Sequence, residues 1–222
     1  MVAIQEWIAD FSEAVKRAFG DRVVFIGLQG SYGRGEASES SDLDVVVILD
    51  RLDMADLRKY ENAIGALPHR EKICGFVSGR QEILHWERSD SFQLYYDTEP
   101  VFGSLDFLLP FPEEEVKRAV RIGACNLYHA CCHNILHEKS VEILRTCYKA
   151  SVFALQAKCF LRSGTYCRKK EELSLKLPEA DRRILEFSLE AKAAQAMEEN
   201  QFARLSEALL LWSGNTIAEF GE

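Results

Sequence analysis

The chain has 222 residues, 47% of them hydrophobic and 28% charged, with a formal net charge of −8. That balance suits one or two globular cores and excludes a disordered, collagen-like or low-complexity chain, and no run approaches the ~18 apolar residues of a membrane-spanning helix. Residues 1–110 hold 11 Lys/Arg against 19 Asp/Glu, while 111–222 hold 16 of each, so the whole charge excess lies in the first half and the basic footprint of a nucleic-acid binder is missing. In chain order, Ile4, Ile8, Phe11, Val15 and Phe19 recur at helical spacing, and Gly20 ends the pattern. Arg22–Gln29 reads as a buried strand, Gly30 to Ser41 as a Gly/Ser-rich connection, and Leu43–Leu49 as a central strand rich in β-branched residues. A helix over 53–66, a short strand at Ile73–Val77, a short helix at Gln81–Glu87 and a strand at Pro100–Leu109 follow.

Character changes after Pro110-Phe111-Pro112. Glu113–Glu115 form an acidic first turn, which a helix N-terminus favours. Helical patterns then run over about 113–138, 140–163, 179–196 and 200–219, separated by Ser163-Gly164 and Pro178. The expected architecture is α+β: an α/β domain with a mixed sheet over 1–110, then an all-α helical bundle over 111–222. Acids near the start (Glu6, Asp10) do not suit a secretory signal. Seven cysteines with no Cys-x-x-Cys pair point to reduced thiols and a cytoplasmic setting.

One stretch carries chemistry: Gly30-Ser-Tyr-Gly-Arg-Gly-Glu-Ala-Ser-Glu-Ser-Ser-Asp42-Leu-Asp44. Asp42 and Asp44 stand two apart at the entry to a strand, so period two puts both carboxylates on one face, where they can converge on divalent cations. Solvated turn acids would show the same pattern. Glycine at 30 lets the backbone approach a phosphate closely, and the Ser31 hydroxyl with nearby N–H groups can hold phosphate oxygens at a helix start. A plain strand-to-helix turn would look alike. It is not a Walker A loop, because Glu36-Ala37 follows Gly35, and Gly33-x-Gly35 lacks the third glycine of a dinucleotide fingerprint.

Together, the Gly-Ser turn and the Asp-x-Asp on the next apolar strand resemble the polymerase-β-type nucleotidyltransferase superfamily. The matching residues are Gly30, Ser31, Arg34, Gly35, Glu36, Ala37, Ser41, Asp42, Leu43 and Asp44. The Arg-Gly-Glu-Ala and Ser-Asp-Leu-Asp pieces look like the minimal and aminoglycoside-type branches. Leu161 to Leu173 resembles the helical domain that accompanies the latter. The resemblance implies that 1–110 is a nucleotidyltransferase domain that moves a nucleoside monophosphate, AMP from ATP, to a hydroxyl of a small molecule such as an antibiotic, with pyrophosphate release. It implies Mg²⁺ or Mn²⁺ on Asp42 and Asp44, and phosphate contacts from Gly30, Ser31, Arg34 and Lys149. Partners would be a nucleoside triphosphate and a small acceptor, without membrane or nucleic acid, and a homodimer is admitted. Two other readings stay open: a protein-modifying (AMPylating) antitoxin-type transferase, and a catalytically weak nucleotide-binding module.

The match departs in one place. The family usually carries a third carboxylate on a neighbouring strand, here Ile73-Cys-Gly-Phe-Val77, where Gly75 stands at the acid's place. Asp97 and Asp106 are the alternatives, and Asp97 is the expected third metal ligand. Arg34 suits triphosphate charge or an ion pair with Glu36 or Glu39; Lys149 suits a phosphate or plain solvation. His129, His133 and His137 share a helical face near Cys132, which suits zinc, a stacked bundle interface or the acceptor side of a cleft. Cys125, Cys131, Cys147 and Cys159 are expected as small core residues.

Overall fold

The structure, a computed structural model, describes residues 2–194 and 196–221. Met1, Gln195 and Glu222 lie outside the described residues, Gln195 falling within the last part of the helix expected at 179–196. The chain divides into two compact units, Met1–Pro110 and Phe111–Glu222. Among the described residues no helix is long and apolar enough to cross a membrane.

The first unit is a mixed four-stranded sheet in the order β3-β2-β1-β4. Helix α1 (Ile4–Phe19) precedes β1 (Val23–Leu28), the short helix α2 (Gly30–Arg34), β2 (Leu43–Leu49) and α3 (Met54–Ile64). Then come β3 (Ile73–Gly79), α4 (Arg80–Leu84), α5 (Arg88–Asp97) and β4 (Glu99–Gly103). β1 runs antiparallel to both β2 and β4, while β2 and β3 are parallel. β2 is central because its residues can be buried on both faces. Val45, Val46, Val47, Ile48 and Leu49 are all at most 1% exposed, each side chain contributing roughly 1.5–3 kcal/mol by burial. Leu43, Val45, Val47 and Leu49 join Phe11 and Val15 of α1 in one core, leaving Asp44, Val46 and Ile48 on the opposite face.

Hydrogen bonds tie the helices to this sheet. Trp7 Nε1 donates to the Pro68 carbonyl at 2.8 Å, and its ring stacks on Phe11 at 5.4 Å. Asp53 and Asp56 form a capping box that starts α3. Arg22 donates to both carboxylate oxygens of Asp56, at 2.7 and 2.8 Å, and to Asp50 at 2.9 Å. The strand expected at Pro100–Leu109 ends at Gly103, and a single 3₁₀ turn covers Asp106–Leu108.

The second unit holds α6 (Glu113–His133), α7 (Val141–Ser163), α8 (Lys170–Lys176), α9 (Glu179–Ala193) and α10 (Glu199–Glu219). α6 runs into a π-helical turn, Asn134–Glu138. α7 is buried on several sides, which its eleven buried residues require. Three of these, Ser151, Gln156 and Lys158, are polar and must be paired, and the Ser151 hydroxyl donates to the Tyr148 carbonyl at 2.8 Å. Lys158 Nζ lies 3.1 Å from Asp181 and 3.0 Å from Glu219, joining α7 to α9 and α10, and Trp212 Nε1 donates to the same Asp181 at 2.8 Å. Gln156 donates to the carbonyls of Cys167 and Arg168, which fixes the segment between α7 and α8. Cys131, Cys147 and Cys159 are core residues, and desolvation pushes the Cys131 thiol up to about 12. Cys125, expected among them, is exposed instead, because its place on α6 faces away from that core.

Candidate active site

Two chain segments meet where β1 ends and β2 begins. Gln29, one residue past β1, still donates its N–H to the Asp44 carbonyl at 2.7 Å. Gly30 then swings the chain into α2 at φ +64°, a left-handed conformation that L side chains adopt at a cost. A Cβ on Gly30 would lie 2.0 Å from Asp44 Oδ2. The carboxylate of Asp44 therefore rests on the backbone that opens α2.

The alternation along β2 accounts for this placement. Asp42 is exposed, Leu43 buried, Asp44 half-buried and Val45 buried. Leu43 and Val45 occupy the core under α1, so the acids are left to the other face. The loop leading to them is ordered by serines: Ser38 N–H donates to Ser41 Oγ at 2.9 Å. Ser31, half-buried, is the second residue of α2. The first N–H groups of a helix have no partner one turn back and favour negative charge.

Arg34, the last residue of α2, is anchored by two acids. Its Nη1 donates to Asp97 Oδ2 at 2.8 Å and its Nε to Glu36 Oε2 at 3.4 Å. The Arg34 and Asp97 side chains are 11% and 4% exposed, so this pair is shielded from water. Of the two readings for Arg34, the ion pair is present, with Asp97 as the shorter contact. Asp97 itself closes α5, a helix that the sequence reading did not include. Asp106 is exposed and accepts the Tyr95 hydroxyl at 2.9 Å. Hydrogen bonds from Ser104 and Tyr95 hold its carboxyl below the usual carboxylate range.

The structure brings Gly30, Ser31, Asp42 and Asp44 to one end of the sheet and ties Arg34 to Asp97 beside α2. Lys149 belongs to the other unit, exposed on α7. Gly75 has no room for the missing acid. Its φ is +139°, and a Cβ would lie 1.9 Å from the Val45 carbonyl oxygen. The β3 residue in register with Asp44 is Cys74, which is exposed. Parallel neighbours in register share a face, so Cys74 is the side chain next to Asp44. Strand register, which the sequence does not display, is the signal that finds it. Among the described residues no group of three or more His, Cys, Asp and Glu side chains gathers as a metal site.

Residues 8–90 match the family described as Nucleotidyltransferase domain. The crystal structure of spectinomycin adenyltransferase AAD(9) from Enterococcus faecialis, with ATP and spectinomycin, is similar in fold at a TM-score of 0.59 and 13% identity, covering 96% of this chain and 99% of that one. A nucleotidyltransferase-like protein from Exiguobacterium sibiricum shows a weaker likeness, with a TM-score of 0.38 and 13% identity over 97% of this chain and 77% of that one. No curated protein matches the chain. The Gly-Ser turn and the strand acids both fall inside the matched span 8–90, so the first unit of the chain is similar to a nucleotidyltransferase domain, a domain of enzymes of nucleotidyl transfer.

Proposed function

We propose that the chain moves AMP from ATP to a hydroxyl of a small molecule such as an antibiotic, releasing pyrophosphate. The contact between the Asp44 carboxylate and the Gly30 turn carries this reading, because it sets an acid beside the N–H groups that open a helix. The adenyltransferase of similar fold is bound to ATP and spectinomycin, which supports an ATP donor and a small acceptor.

Each residue then has a task. The Gly30 backbone and the Ser31 hydroxyl would hold phosphate oxygens. Asp42 and Asp44 would hold Mg²⁺ or Mn²⁺. The donor set fits such an ion: both side chains offer hard oxygen and at least partial access to water, and Mg²⁺ takes one or two carboxylates, waters and substrate phosphates. When bound, the ion neutralises triphosphate charge and lowers the pKa of an oxygen it touches. Arg34 would be a fixed positive charge beside α2, its direction set by Asp97 and Glu36.

The test is pyrophosphate release from Mg²⁺-ATP over a panel of spectinomycin, aminoglycosides, lincosamides and candidate protein acceptors. The wild type should release it with a small acceptor. Asp42→Asn and Asp44→Asn should each reduce the rate by about 100-fold or more, as loss of several kcal/mol of transition-state stabilisation requires. Release with protein acceptors alone would favour the AMPylating reading. ATP binding without release on any acceptor would leave a nucleotide-binding module.

A further inference from the structure

The three histidines of α6 and its π turn are exposed, so they form no packing interface inside the helical unit. Their spacing is uneven. His129 and His133 have ring centroids 6.4 Å apart, whereas His133 and His137 are 4.9 Å apart with rings tilted by 55°. The closer pair spans the passage from α-helix into the π turn.

That difference marks the pair that already stands at a chelating separation. A ligating imidazole nitrogen sits about 2.0–2.1 Å from a zinc-sized ion and roughly 1.1 Å from the centre of its own ring. Two rings on one ion therefore have centroids roughly 4.5–5.1 Å apart at right-angled to tetrahedral geometry, and about 6.3 Å apart at most. The separation of 4.9 Å falls inside that window and 6.4 Å lies outside it. The π turn that carries His137 is held from within. Buried Asn134 donates its side-chain amide to the Ser140 carbonyl and accepts the Ser140 N–H, both at 2.9 Å, while Lys139 adopts φ +49°. Single π turns of this kind occur often at functional sites.

We propose that His133 and His137 form a two-imidazole site for a borderline divalent transition ion such as Zn²⁺, Ni²⁺ or Cu²⁺, completed by water. Imidazole suits these ions, and their affinity order favours Cu²⁺. The site stands on the helical unit and does not depend on the transfer reaction. With no third protein ligand gathered there among the described residues, it is open and reversible.

Isothermal titration of untagged protein with Ni²⁺ tests this, in an Asp42→Asn/Asp44→Asn background so that the carboxylate pair adds no second site. One ion should bind per chain. His133→Ala and His137→Ala should each weaken binding at least about tenfold, the loss of one of two chelating ligands. His129→Ala and Cys132→Ser should leave the affinity within about twofold. Circular dichroism of each variant reports whether the exposed substitutions leave the helix intact. Equal weakening by His129→Ala and His137→Ala, or wild-type affinity in His133→Ala, would overturn the chelating pair, as would the absence of any Ni²⁺ binding.

Discussion

Asp44 occupies the space that a side chain on Gly30 would need: Oδ2 lies 2.0 Å from where that Cβ would be. Position 30 is therefore constrained by the carboxylate as well as by its own left-handed φ. Gly30→Ala meets both constraints. The backbone strain is about 1–2 kcal/mol, and the carboxylate must move. Misplacement by about 1 Å can reduce a rate by about 100-fold. We expect Gly30→Ala to fold, with a melting temperature a few degrees lower, and to lose pyrophosphate release by at least about tenfold. Unchanged release in a folded variant would show that the carboxylate is not used where it stands.

The shielded Arg34–Asp97 pair gives a stability prediction. Removing one member of a buried pair leaves the other charge uncompensated, at about 3–5 kcal/mol. Arg34 keeps Glu36 at 3.4 Å, so Asp97→Ala should fall near the lower end, about 3 kcal/mol, in urea denaturation. Arg34→Met combined with Asp97→Leu should recover part of that loss. If Asp97→Ala alone were neutral, Asp97 would have another task than orienting Arg34.

A second charged contact predicts the response to acid. Hydrogen bonds from Arg22 hold the carboxyls of Asp56 and Asp50 below the usual carboxylate range. A group with a depressed folded pKa stabilises the fold above its unfolded value, about 4, and that contribution fades as pH falls through the folded value. Wild-type melting temperature should therefore decline from about pH 4 downwards. Asp56→Asn should lower the neutral plateau and flatten the acid decline. A decline parallel to wild type would mean that Asp56 contributes nothing that titrates.

Much of this architecture is written in local patterns. The spacing from Ile4 to Phe19 marks α1, and the apolar run of β2 marks the centre of the sheet, because burial on one face or on two leaves a periodic trace. The Gly-Ser turn and the strand acids were legible for the same reason: each is a short-range feature. α5 was not legible. Its buried residues include Ser89, Ser91 and Asp97 beside Phe92, so no apolar stripe announces it. α8 buries only Leu173. The π turn at Asn134–Glu138 hides inside an unbroken helical pattern, since side-chain hydrogen bonds to Ser140 hold it and no breaker residue does. The partner of Arg34 is 63 residues away in sequence, and the neighbour of Asp44 depends on register. Neither relationship leaves a mark on nearby residues.

Register also separates two substitutions that look equivalent in the sequence. An acid restored at position 75 would drive its Cβ to 1.9 Å from the Val45 carbonyl oxygen, so Gly75→Asp should break the pairing of β2 with β3 and lower stability severely. An acid at position 74 lies directly across from Asp44, about 4.8 Å away between strands. Two ionised carboxylates at that distance repel unless a cation joins them. Cys74→Asp should therefore melt below wild type without divalent ions, gain more from added Mg²⁺ than wild type does, and release pyrophosphate faster when Mg²⁺ is limiting. A Cys74→Asp variant whose melting temperature ignores Mg²⁺ would show that the face of β2 bearing Asp44 holds no cation.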